Sequence, residues 1–137
     1  MIGVVVCTHG SLAEGLVSTA LLIVGEFPAL RAVALLPGDS MEDTLARLRA
    51  AIAEVDDGSG VLILCDMFGG TPSNLSLSFL GDDVEVVTGA SLPMLLKLFT
   101  SRDLPLREAA TTVAEHARQN TLVAGTLLRS SGKSKSP

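Results

Sequence analysis

Hydrophobic residues fall in two alternating patterns along the chain. Ile2 to Cys7 is a continuous apolar run with three successive valines, the signature of a strand buried on both faces. Shorter apolar runs at Leu30 to Leu36, Gly60 to Cys65 and Val84 to Thr88 predict three more strands. Between them the spacing changes to that of amphipathic helices. A first helix starts at Ser11, where Ser11 and Glu14 fit a capping box. It carries Leu12, Leu16, Ala20 and Ile23 at helical spacing and stops near Gly25. A second starts at Ser40 with Asp43 at the third position and an inward stripe of Thr44, Leu45, Leu48, Ile52 and Val55.

Pro72 opens a short helix running to about Phe79, and Pro93 falls in the first turn of another over Leu92 to Phe99. The last helix covers Pro105 to Ala117, with Leu106, Ala109, Ala110, Val113 and Ala117 on its apolar face. Thr121 to Leu128 fits either an added strand or a loose helical end, and the strand is the favoured reading. The order βαβαβαβ, then helices, predicts an α/β fold: a three-layer α/β/α sandwich around a four-stranded, mostly parallel sheet. One domain is expected over residues 1–128, followed by a flexible polar tail at 129–137.

Composition narrows the function. At 137 residues the chain fills one domain, and with four Phe and no Trp or Tyr its core must be aliphatic. The formal charge is −5, and three of the ten basic residues lie in the tail, so the body is more acidic still. With no basic stripe and no interleaved aromatics, nucleic acid is an unfavoured partner. No apolar run approaches the roughly 18 residues of a membrane span, and the start lacks a signal peptide's basic region. A cytoplasmic protein is expected, with Cys7 and Cys65 as buried thiols.

The chemistry collects on three loops. In open parallel sheets ligands gather at the carboxyl ends of the strands, near a switch in strand order. That rule selects THGS after the first strand, DMFGGTPSN after the third and TGASLP after the fourth. His9 stands between an apolar strand and a helix start, where an exposed imidazole can act as a nucleophile. Asp66 holds the equivalent place after the third strand. If those strands are neighbours, its carboxylate can hold the second ring nitrogen of His9; a turn-capping aspartate would look the same in sequence. Gly69, Gly70 and Thr71 form a compact turn before a helix start whose exposed amides could receive a phosphoryl group, and Ser11 with the first turn of its helix offers a second set. The glycines lack the spacing of a nucleotide-binding loop. Two histidines and two cysteines offer no metal-ligand spacing, so neither metal nor cofactor is expected, and His116 reads as a surface or interface residue. Ser73 lacks the context of a nucleophile elbow.

In these loops the chain resembles the enzyme IIA domains of the mannose class in the bacterial phosphoenolpyruvate-dependent sugar phosphotransferase system. Val4 to Gly10 is similar to the family's active-histidine segment. Residues 65–74, CDMFGGTPSN, resemble its D-[LMT]-[FW]-G-G-[ST]-P-x-N segment, and residues 88–95, TGASLPML, its TGxNLPML segment. The likeness covers residues 1 to about 120. It implies phosphorylation of His9 by phospho-HPr, support from Asp66, and transfer to a histidine or other acceptor on a separate enzyme IIB during sugar uptake, with membrane association only through transporter components. It also implies a homodimer with a C-terminal antiparallel edge strand exchanged between subunits. With the likeness, Gly10, Ser73 and Ser91 join the residues expected to support the phosphoryl group, Ser91 standing where the family usually has Asn. A regulatory phosphoprotein and the dihydroxyacetone-kinase phosphocarrier subunit use the same histidine chemistry, and a catalytically silent dimeric binding protein is the reading from outside that class.

Overall fold

The computed structural model describes residues 1–130. Four strands, β1 (Gly3–His9), β2 (Leu30–Leu35), β3 (Val61–Cys65) and β4 (Val84–Thr88), alternate with α1 (Leu12–Val24), α2 (Met41–Val55) and α3 (Thr71–Leu77). Helices α4 (Leu92–Phe99), α5 (Leu106–Gln119) and α6 (Ala124–Ser130) complete the described chain. The strands lie in the order β2-β1-β3-β4, all parallel. β1 is thus central, which explains its lack of any polar-facing alternation. Val4, Val5 and Val6 are all fully buried, and each such side chain stabilises the fold by about 1.5–3 kcal/mol.

Successive residues of the central strands serve opposite layers. Val4, Val6, Leu62 and Leu64 pack with Ala13 and Ala20 of α1, Met94, Leu95 and Leu98 of α4, and Ala109 and Val113 of α5. Val5, Cys7, Ile63 and Cys65 face Leu48, Ala51 and Val55 of α2 and Leu75 of α3. This is the expected sheet between two helical layers. The chain goes from β1 to β2 on one side, then crosses to β3 on the other, so the switch in strand order falls between β1 and β3.

Two local expectations are corrected. Ser11 does not cap α1: its side chain accepts no cap bond. The buried Thr8 takes that role from inside the strand, its Oγ1 accepting the Ala13 N–H at 2.7 Å. The inward face of α1 is accordingly Ala13, Ala20 and the half-buried Leu16, Val17 and Val24, while Leu12 and Ile23 are exposed. The box at Ser40 does form on its serine side, with Ser40 Oγ accepting the Asp43 N–H at 3.0 Å.

The second correction concerns Thr121 to Leu128. This segment forms no strand; residues 121–123 are irregular and α6 follows, with no buried residue. A strand needs a neighbour's backbone to complete its hydrogen bonds, whereas a helix satisfies its own, as in the Leu127 N–H donated to the Val123 carbonyl at 3.1 Å. Of the expected polar tail, residues 131–137 lie outside the described residues. Among the described residues, no helix is long and apolar enough to cross a membrane.

Candidate functional site

His9 is the last residue of β1 and Asp66 the first after β3. The Cys7–Cys65 register of these neighbouring strands sets the two polar side chains at one sheet edge, at the switch point. Asp66 Oδ2 lies 2.8 Å from His9 Nδ1 and also accepts the His9 backbone N–H at 3.1 Å. The second carboxylate oxygen accepts the N–H of Met67 at 3.1 Å, so the carboxylate is fixed at both ends. Its side chain is only 15% exposed, while that of His9 is 47% exposed. Partial burial pushes the Asp66 carboxyl up, but the hydrogen bonds from the His9 ring and backbone, with the attraction of the ring, outweigh it. The net result is a carboxyl below the ordinary aspartate range.

An ionised carboxylate only accepts. The short contact therefore puts the neutral imidazole's proton on Nδ1 and leaves Nε2 with its lone pair on the other side of the ring. That arrangement makes Nε2 a nucleophile whose partner nitrogen is already held.

Gly70 packs against the Cε1 edge of the His9 ring. A Cβ at this position would stand 2.7 Å from His9 Cε1 and 3.3 Å from Nε2, so a side chain there would force the imidazole out of its observed position. The preceding residue, Gly69, turns the chain at φ +88°, a conformation that glycine adopts at no steric cost. Ser73 fastens this turn. Its fully buried hydroxyl accepts the Gly69 N–H at 3.0 Å and donates to the Gly70 carbonyl at 2.9 Å. The hydroxyl is thus committed to the loop backbone, and its support for the site runs through Gly69 and Gly70 instead of through direct contact.

The remaining candidates divide similarly. Gly10 takes φ +57° and donates its N–H to the Leu35 carbonyl at 2.8 Å, tying the His9 loop to the end of β2. Ser11 is exposed and Thr71 half-buried, at the first residue of α3. Ser91 caps α4, its Oγ accepting the Met94 N–H at 3.3 Å; an asparagine would serve equally as a cap there. The Ala90 N–H reaches the Cys65 carbonyl at 2.8 Å, binding the third loop to the strand that carries Asp66. His116 pairs with Asn120 one turn along α5. No three His, Cys, Asp or Glu side chains among the described residues gather as a metal site.

The role of Thr8 was missed in the sequence. Besides capping α1, its hydroxyl donates to the His9 carbonyl at 3.1 Å, linking the nucleophile's backbone to the helix start. A threonine five residues before a helix position carries no conventional cap signal; its place in an otherwise apolar strand was the available hint.

Comparison with known proteins adds an independent line. Residues 3–119 match the family described as the PTS system fructose IIA component. The mannose-specific EIIAB component of Escherichia coli K12 is 35% identical over 104 residues, which is 74% of this chain; the chain spans about a third, 32%, of that relative's length. The fructose-specific EIIA component of Bacillus subtilis is 29% identical over 123 residues, covering 88% of this chain and 84% of its own. The phosphotransferase system component EIIA from Streptococcus agalactiae superposes with a TM-score of 0.82 at 26% identity, covering 92% of this chain and 99% of its own.

Proposed function

The chain belongs to the EIIA family of phosphotransferase-system components, and from that premise we propose that it carries a phosphoryl group on His9 between HPr and an enzyme IIB. The phosphorus of phospho-HPr is attacked in line by His9 Nε2. As the new P–N bond forms, the donor's P–N bond breaks and its electron pair returns to the donor imidazole. The proton on His9 Nδ1 stays in its bond to Asp66, which stabilises the positive charge that the ring gains. Transfer to the acceptor on enzyme IIB is the same step in reverse roles. Because both donor and product are phosphohistidines, the exchange is close to isoenergetic and needs no metal.

One observation carries this reading: the 2.8 Å contact between Asp66 Oδ2 and His9 Nδ1, which leaves Nε2 as the attacking atom. In this reading the Ser11 and Thr71 hydroxyls and the backbone N–H groups at Gly70 and Thr71 are the groups assigned to the phosphoryl oxygens, while Ser91, Gly10 and Gly69 hold the loops that carry them. Residues 1–128 act as a single carrier domain in the cytoplasm, reaching the membrane only through transporter components. We assign it a homodimer, supported by exposed Leu122, Val123 and Leu127, whose apolar surface a second copy would cover.

The test is incubation with phosphoenolpyruvate, enzyme I and HPr, followed by intact-mass measurement. The protein should gain ~80 Da, the mass of one phosphoryl group, and its His9→Ala form should gain nothing. No gain in the unaltered protein would sink the proposal.

A further inference from the structure

We propose that Ser73 is a positioning residue for His9, acting through the Gly69–Gly70 turn. The imidazole is clamped at two points. On one side Asp66 holds Nδ1; on the other Gly70 lies against the Cε1 edge, so close that an added Cβ would displace the ring. Half of the ring faces solvent, so Gly70 is the wall that opposes rotation away from the carboxylate. The wall is only as firm as the turn behind it. Glycines restrict their own backbone less than any other residue, and here two stand in succession.

The Ser73 hydroxyl supplies the missing restraint. It bridges the N–H of Gly69 and the carbonyl of Gly70 from a side chain that is itself fully buried. Without it, the Gly70 carbonyl keeps only the Asn74 N–H at 2.9 Å, and the Gly69 N–H loses the acceptor seen here. The ring would then sample orientations in which Nδ1 no longer meets Asp66, and the single tautomer with a nucleophilic Nε2 would give way to a mixture.

The experiment compares the unaltered protein with Ser73→Ala and Ser73→Thr, the second of which keeps the hydroxyl. Long-range proton–nitrogen correlation spectra of the unphosphorylated protein read the His9 tautomer. Single-turnover transfer from phospho-HPr reads the rate, and thermal melting reads stability. In Ser73→Ala the Nδ1–H signature should weaken and the rate fall by roughly tenfold, the size expected for a loosened reacting group; Ser73→Thr should restore both. The inference is overturned if Ser73→Ala keeps the original ring spectrum and a rate within about twofold, whatever its melting temperature. It is equally overturned if a Ser73→Thr protein that melts normally restores neither. The rate measurement rests on the carrier role of His9, but the spectra do not. If the unaltered protein accepts no phosphoryl group, the carrier reading fails and the tautomer still decides the role of Ser73.

Discussion

Gly70 lies so close to His9 that a Cβ on it would sit 2.7 Å from His9 Cε1 and force a shift. Its backbone, at φ −81° and ψ 168°, is open to any residue, so the demand for glycine comes from the imidazole alone. In Gly70→Ala the ring must therefore move, because the turn behind residue 70 is pinned by Ser73. Phosphoryl acceptance should fall by about ten- to a hundredfold with the fold retained, as measured by single-turnover transfer alongside circular dichroism. An alanine variant with full activity would show that the ring does not need its observed position.

Asp66 ties activity to stability. Replacing it with Asn keeps the size but removes the charge, and the amide can donate to Nδ1 and so favour the wrong tautomer. Acceptance by Asp66→Asn should drop by about a hundredfold or more.

The same carboxyl makes a prediction about pH. Its value in the folded protein is lowered from the ordinary 3.8, so the unfolded chain binds the proton more readily. The stabilisation it gives is complete above 3.8 and is lost as pH falls through the folded value. Melting curves should show the gap between the unaltered protein and Asp66→Asn narrowing as pH drops below about 4. A gap that widened on acidification would contradict this sign.

How far the sequence revealed this site depends on the range of each interaction. Strand and helix patterns placed His9 and Asp66 at strand ends, because buried runs and helical spacing are local properties. That β1 and β3 would be neighbours was a conditional expectation, and the order β2-β1-β3-β4 satisfies it. Contacts that depend on three-dimensional approach were illegible: nothing in the string GGTPS says that Gly70 faces an imidazole 61 residues away, or that Ser73 bonds backward into the turn. Ser11 fits a capping box in sequence, yet Thr8 reaches the helix from the strand. Residues 121–128 misled because an apolar run fits either a strand or a helix, and only an available neighbour decides which.

Cys7 and Cys65 stand side by side on β1 and β3, immediately beneath the site, and both are buried. Burial, and then the proximity of Cys65, pushes the Cys7 thiol up to about 12. Burial raises Cys65 as well, against a partly compensating bond to Ser76. The thiolate is the reactive form, so neither residue should be alkylated by iodoacetamide at neutral pH in the native protein. Both should react after denaturation. Intact-mass measurement gives the count directly, and rapid native labelling would mean that this part of the sheet opens readily.

The opposite end of the sheet offers a variant that separates stability from transfer. Arg102 is 5% exposed and donates to the carbonyls of Ile2, Pro28 and Ala29 at 2.8, 2.5 and 3.3 Å, with its guanidinium 5.0 Å from the Phe27 ring centroid. These carbonyls precede β1 and β2, so one side chain joins the starts of two neighbouring strands. Lysine carries the charge but lacks the planar fork that reaches several acceptors, while methionine fills space and leaves the carbonyls without this donor. Arg102→Met should cost about 2–4 kcal/mol, the range for stripping partners from buried polar groups, and Arg102→Lys should recover only part of that. His9 lies at the far end of β1, so the phosphoryl capacity per folded molecule should be unchanged in both. Chemical denaturation and the mass-based transfer assay, run on the same samples, separate the two quantities. A transfer defect in fully folded Arg102→Met would mean that the amino end of β1 controls the histidine at its other end.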